Sequence, residues 1–235
     1  MIKEVSTAMV LAAGRGERMR PLTDHTPKSL LKVGGQALIE HHLGKLGHAG
    51  FRRVVINHAH LGEQIVSAVG DGRRWGLTIL FSAESQALET AGGIANALSL
   101  IDAQTFAVVN ADIFSEYDYA GLKDATHQLM QDPRSNAHLV LVDNPPHNRA
   151  GDFALRGVSV AADSGPKLTF GGLAAYRADM FASLPAGTKA ALAPMLREQI
   201  QAGHVTGEHF SGYWVDVGTP QRLALVNKRL KDGQT

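Results

Sequence analysis

Arg18 and Lys28 follow a stretch of small residues early in the chain, and two aspartates, Asp112 and Asp216, each follow a short apolar run far downstream. The stretch from Val10 to Lys28 reads VLAAGRGERMRPLTDHTPK, an apolar strand that breaks into Ala12, Ala13, Gly14 and Gly16 before the basic residues begin. Small residues at a strand end let bare backbone N–H groups approach a ligand closely, which makes a nest for anions. Only Glu17 and Asp24 interrupt the positive side, and Lys28, held after Pro27, closes the far end as a basic clamp. A lone Gly-x-Gly is as readily a plain tight turn; the clamp favours anion binding. Taken singly, Asp112 and Asp216 read as helix caps. Together with the nest they suggest a Mg²⁺ site, because that ion takes one or two carboxylates and fills its shell with water and phosphate oxygens.

Two other nucleotide signatures fail on spacing. A dinucleotide fingerprint needs a third glycine where Met19 stands and a helix opening at once, but Pro21 and Pro27 impose a long loop. A Walker A loop needs Gly-Lys-Ser/Thr at its end, and the sequence has none. A second small-residue segment, FSAESQALETAGGI, offers a place for a base and ribose. There Thr90 or Glu89 caps a helix, and Gly92 and Gly93 either let a flat ring lie on the backbone or serve close helix–sheet packing.

The elements that must position these residues read as a β/α alternation. Strands are expected at Ala8 to Ala12, Arg53 to Ile56, Leu77 to Ser82, Phe106 to Asn110 and Ala137 to Val142. Helices are expected at Ile39 to Ala49, His60 to Val69, Gly92 to Leu100 and Tyr119 to Gln131. This is an α/β pattern, a Rossmann-like, doubly wound, mostly parallel sheet, with ligands beyond the carboxyl ends of the strands. From Asp143 the pattern changes to a Pro, Asn and Gly loop, then antiparallel runs at Phe153 to Val160 and Lys167 to Tyr176, expected to form a small lid or side wall. Helix returns at Met180 to Leu184 and Ala191 to Ala202. Strand-like runs follow at His204 to Phe210 and Tyr213 to Val217, and Pro220 opens a last amphipathic helix.

On these residues the chain resembles the sugar-1-phosphate nucleotidyltransferases, the nucleoside-diphosphate-sugar pyrophosphorylases. Leu11 to Leu31 (LAAGRGERMRPLTDHTPKSLL) carries the signature, and the likeness extends over about residues 5 to 231. The resemblance implies one nucleotidyltransferase domain, with a nucleotide-binding half over about 5–142 and a sugar-binding half with a closing helix over about 143–231. It implies that Arg18 and Lys28 hold the triphosphate, that Asp112 of Asn110-Ala111-Asp112 and Asp216 of Trp214 to Gly218 hold Mg²⁺, and that Gly172 lies against the sugar. Glu84 aligns with a position that meets the base edge; a carboxylate there only accepts hydrogen bonds, which suits uracil, thymine or guanine. The Glu-Lys-Pro element of many members is missing. Lys167 is a candidate replacement for its lysine and equally a plain exposed strand lysine. The Gly151-Asp152-Phe153 loop is similar to that of the compact branch acting on N-acetylmuramate 1-phosphate in cell-wall recycling, whose lactyl carboxylate Arg149 or Arg156 could meet. The expected reaction is therefore Mg²⁺-dependent transfer from UTP to a sugar 1-phosphate. GTP or dTTP with mannose or glucose 1-phosphate, a cytidylyltransferase sharing the opening loop, and a catalytically silent regulatory homologue are the alternatives.

Composition narrows the partners. The 235 residues are 44% apolar, enough for one substantial core. A net charge of +1 argues against bulk attraction to nucleic acid or membrane. Without cysteine there are neither disulfides nor thiolate metal sites. No apolar run reaches the length of a membrane span and the opening residues do not read as a signal peptide, so the expectation is a cytoplasmic monomer or small homo-oligomer. The histidines from His41 to His60 have no carboxylate at partner spacing and read as surface or packing residues.

Overall fold

A computed structural model of the chain describes residues 7–162 and 165–233. The parallel part follows the expected alternation: β1 (Thr7–Leu11), a small hairpin of β2 (Lys32–Val33) and β3 (Gln36–Ala37), α1 (Leu38–His48), β4 (Arg53–His58), α2 (Gly62–Val69), β5 (Thr78–Ala83), α3 (Glu89–Ile101) and β6 (Thr105–Asn110). Then come β7 (Ile113–Ser115), α4 (Tyr119–Gln131) and β8 (Ala137–Val142). The remainder is β9 (Phe153–Arg156), β10 (Ser159–Ala161), β11 (Lys167–Arg177), α5 (Leu192–Gln201), β12 (Val205–Phe210), β13 (Trp214–Asp216) and α6 (Pro220–Lys231).

The main sheet runs β5-β4-β1-β6-β11-β8-β12-β10-β9. It is mixed, where the sequence suggested a mostly parallel one. β5, β4, β1 and β6 are parallel, β11 enters antiparallel between β6 and β8, and β12 returns parallel to β8. The physical reason lies in β11, an eleven-residue strand. Its first two residues pair with β9, and its second half, Leu173 to Arg177, pairs with β6, with Leu173 to Tyr176 buried. The antiparallel strands expected as a lid are thus continuous with the main sheet. The run Phe153 to Val160 divides at Gly157, whose φ of 58° suits a glycine turn between β9 and β10. Met180 to Leu184, expected as helix, holds only a short 3-10 turn at Ala178–Phe181.

Side chains alternate across the sheet, so each central strand feeds two cores. Val10, Val54, Ile56 and Val109 join Ile39, Leu43 and Tyr119 on one face; Met9, Val55, Phe106 and Val108 join Ile94, Phe181 and Leu196 on the other. A third, smaller core lies at the end where the strands stop. There Val226 of α6 packs with Met19, Val33, Leu38 and Val217. The closing helix therefore seats the loop after β1 and the strand bearing Asp216 on one support. Thr219 caps α6, its hydroxyl accepting from Arg222 N–H at 3.3 Å, and Pro220 occupies the first turn. Among the described residues no helix is long and apolar enough to cross a membrane.

Candidate active site

The loop after β1 is braced from below. Ala12 N–H donates to Asn57 Oδ1 at 2.8 Å, and Asn57 Nδ2 donates to Glu84 Oε1 at 2.7 Å. The second Glu84 oxygen accepts from Leu88 N–H at 2.9 Å. A chain of hydrogen bonds thus ties the ends of β1, β4 and β5 to the start of α3. Gly16 then turns the backbone with φ 70°, where a Cβ would press on Thr23 and on the Lys28 stem at about 3 Å. Thr23 Oγ1 donates back to Gly16 O at 2.8 Å, which closes the loop. A Cβ at Gly14 would meet nothing within 4 Å, so that side of the loop faces open space.

That space is a cleft of about 460 Å³ beyond the carboxyl ends of β1, β4 and β6. Ala12, Ala13, Gly14, Gly16, Arg18, Lys28, Thr90, Asn110 and Asp112 all line it, as do Asn57, Glu89 and Gly218. A second cavity of about 670 Å³ shares Glu89, Thr90 and Asn110 with the first and is otherwise bounded by the Gly151-Asp152-Phe153 loop, β11 and α5. Thr90 and Asn110 therefore stand at the junction of two compartments.

The segments bearing the distant aspartates meet in a two-stranded ribbon; Asp112 lines the cleft and Asp216 does not, although Gly218, two residues on, does. β13 pairs antiparallel with β7, placing Asp216 opposite Ile113, and Val217 N–H donates to Asp112 O at 2.7 Å. Each carboxylate already has a cation. Lys28 Nζ stands 2.5 Å from Asp112 Oδ2, and Arg222 Nη1 stands 2.6 Å from Asp216 Oδ1 with His147 Nε2 at 3.1 Å. Gly218 brings the Asp216–Arg222 pair near Arg18: a Cβ there would lie 2.4 Å from Arg222 Nη2, 3.1 Å from Asp216 Oδ2 and 3.2 Å from Arg18 Nη2. Among the described residues no three His, Asp or Glu side chains gather as a protein-only metal cage. A pair of carboxylates is still enough for Mg²⁺ when phosphate oxygens and waters supply the remaining ligands.

Several expected contacts are relocated. Glu84 is buried with both oxygens occupied by Asn57 and Leu88, so it braces the loop and does not face a base. Gly92 is a packing glycine. A Cβ there would stand 2.2 Å from Thr188 O, and its N–H donates to Ala190 O at 3.0 Å. Gly93 is pressed the same way against Asn57 and Glu84. Gly172, at φ 71°, forms a bulge in β11 where a Cβ would lie 2.7 Å from Asn110 Nδ2; it sets the Asn110 side chain and does not itself line either cavity. Asp152 lines the second cavity, but its oxygens accept from Phe170 N–H and Asn148 Nδ2. Arg149 and Arg156 do not line it; Lys167 and Arg197 do.

Sequence reasoning missed Arg222, His147 and the bracing role of Asn57. Asn57 had a signal, a polar residue at the end of an apolar strand. Arg222 lies six residues after Asp216 in the first turn of a capped helix, and only the turn at Gly218 brings it back. Among the histidines, His42 is buried against Tyr119, with its Nδ1 2.7 Å from the phenol oxygen, and burial pushes its pKa down to about 4. It is a packing histidine, as expected.

Residues 7–153 match the nucleotidyl transferase family model. Over 220 residues the chain is 50% identical to N-acetylmuramate alpha-1-phosphate uridylyltransferase of Neisseria meningitidis serogroup B, covering 92% of this chain and 94% of that one. It is 34% identical over 236 residues to the protein of the same name from Caulobacter vibrioides, covering 96% and 97%. Among solved structures, one described as a glucose-1-phosphate thymidylyltransferase from Bacillus anthracis, in complex with sucrose, is similar with a TM-score of 0.81 at 21% identity over 96% of both chains. HddC from Yersinia pseudotuberculosis, complexed with GMP-PN, gives 0.77 at 19% identity, covering 95% of this chain and 99% of that one. At such low identity these two speak for the fold alone.

Proposed function

The chain belongs to the nucleotidyl transferase family, and from that premise we propose that it joins UTP to N-acetylmuramate 1-phosphate, releasing pyrophosphate. The observation that carries this reading is the convergence of the backbone nest, Arg18, Lys28 and Asp112 on one cleft, with Asp216 delivered beside it by the β7–β13 ribbon. The choice of uracil and of this sugar rests on the two relatives that bear that name. Glu84 contributes nothing to the choice of base, because its carboxylate is spent inside the fold.

A sugar 1-phosphate is already an oxyanion near neutral pH, so no general base is needed. Its phosphate oxygen attacks the α-phosphorus of the nucleotide, the new O–P bond forms, and the bond to the β-phosphate breaks as pyrophosphate leaves. The protein's task is to bring two anions together and offset their charge. The nest N–H groups, Arg18 and Lys28 receive the triphosphate. Thr90 and Asn110, at the junction of the two cavities, position the reacting phosphates, and Gly172 keeps the Asn110 side chain in place. Lys167 stands in for the missing Glu-Lys-Pro lysine on the sugar phosphate. Asp112 and Asp216 would hold Mg²⁺, which when bound supplies charge neutralisation at the phosphates. Lys28 and Arg222, which pair with these carboxylates, would turn to phosphate oxygens of the bound substrates. On this reading residues to about 142 form the nucleotide half and those from about 143 to 231 the sugar half. We place the enzyme in the cytoplasm, where nucleoside triphosphates are supplied.

The test is pyrophosphate release from a panel of triphosphates and sugar 1-phosphates with Mg²⁺. UTP with N-acetylmuramate 1-phosphate should give the highest kcat/KM. Release with GTP or dTTP and a neutral hexose phosphate instead would move the assignment within the family, and no release from any pair would overturn it.

A further inference from the structure

Deepening the reading above, and resting on it, we infer that Arg197 is the specificity residue of the second cavity, pairing with a carboxylate carried by the sugar. Among the described residues, four ionisable side chains line this cavity: Glu89, Asp152, Lys167 and Arg197. The two acids are already answered. Glu89 meets Lys189 Nζ at 3.4 Å, and Asp152 accepts from Phe170 N–H at 2.8 Å and from Asn148 Nδ2 at 3.1 Å. Neither base has an ion pair or side-chain hydrogen bond among the described residues. The compartment thus presents two unspent positive charges, whereas the cations of the first cleft, Arg18 and Lys28, do not reach into its lining.

A sugar 1-phosphate brings one anion to this compartment, its phosphate, and Lys167 on β11 is assigned to it. A neutral sugar would leave Arg197 with nothing to bind, so the second cation calls for a second anionic group. Its setting fits a carboxylate on a short alkyl arm. Arg197 projects from α5 with Ala193 and Gln201, four residues before and after it on one helix face, all three lining the cavity. Leu192 and Leu196 of the same helix, with Phe153 opposite, give apolar wall for the arm and its methyl group. The planar guanidinium fork matches the two oxygens of a carboxylate, which a lysine cannot do. N-acetylmuramate carries such a group, its lactyl ether, and N-acetylglucosamine lacks it.

The experiment compares kcat/KM on N-acetylmuramate 1-phosphate and on N-acetylglucosamine 1-phosphate, both with UTP and Mg²⁺, for the wild type, Arg197→Gln and Lys167→Met. Loss of one charge-assisted bond should lower kcat/KM of Arg197→Gln on the acidic sugar by about 10- to 100-fold, mainly through KM, and leave the neutral sugar within about twofold. Arg197→Lys should recover part of the loss, and Lys167→Met should lower both sugars together. Equal losses on both sugars with Arg197→Gln, or none on the acidic one, overturn the inference while nucleotidyl transfer stands. A wild type that works on neither sugar overturns the underlying reading and this inference with it.

Discussion

At the scale of single residues, the site is built from charges that compensate one another before substrate arrives. Lys28 is largely buried at 11% exposed and Asp112 is 38% exposed, so their contact is open on the cleft side. Removing the lysine should therefore affect turnover far more than folding. For Lys28→Met we expect kcat to fall by about 10²- to 10³-fold, with the urea midpoint nearly unchanged, read by pyrophosphate release and equilibrium unfolding. Glu89 presents a different case. It begins α3 with a φ of 62°, a backbone conformation that costs a side-chain-bearing residue about 1 kcal/mol or more, and it lines both cavities. Glu89→Gly should raise unfolding stability by roughly 1 kcal/mol, and activity should fall if the strain holds a substrate contact in place. A destabilised Glu89→Gly protein would show that the conformation carries no strain.

Among the elements, α3 and α6 do the positioning. The start of α3 lies so close to the 188–190 segment that Gly92 leaves no space for a methyl group, with backbone on the far side. Gly92→Ala should cost roughly 1–3 kcal/mol of stability, measured by urea denaturation. A variant of full stability with lost nucleotide binding would restore the glycine to a role under the base. α6 ties Met19 of the nest loop and Val217 beside Asp216 into one small core through Val226, while its first turn delivers Arg222 to Asp216. The sequence pointed to this helix through Pro220, a first-turn proline ahead of an amphipathic run. Its target was not legible, because nothing local in a capped amphipathic helix says which loop it will cover.

For the molecule as a whole, the two-sided core makes stability depend on groups remote from the cleft. His42 lies fully inside with its pKa at about 4, against an unfolded value near 6.5. The fold thus favours the neutral ring. That contribution is complete above about pH 6.5, shrinks as the pH falls because the unfolded chain alone takes up a proton, and levels off below about pH 4. Between pH 7 and pH 5 the wild type should lose about 2 kcal/mol through this group. The stability difference between wild type and His42→Gln, from urea unfolding at both values, should narrow by that amount. A constant difference would show that His42 keeps its ordinary pKa in the folded state.

The amino-acid sequence alone determined what is local: the strand and helix alternation, the small-residue loop of Ala12 to Gly16, the basic residues that follow it, and the acids at the strand ends. These follow from periodicity, small-residue clusters and capping chemistry, each carried by near neighbours in the chain. Tertiary structure decided what depends on distant segments meeting. It inserted β11 antiparallel into the sheet, because the buried half of that strand finds its partners on β6 and β8 and not in its own neighbourhood. It turned Glu84 inward, because Asn57 and the Leu88 amide reach its oxygens first. It brought the segments bearing Asp112 and Asp216 together, Arg222 onto Asp216 and Arg197 into the second cavity, contacts set by the packing of one element against another, for which the chain has no short-range sign.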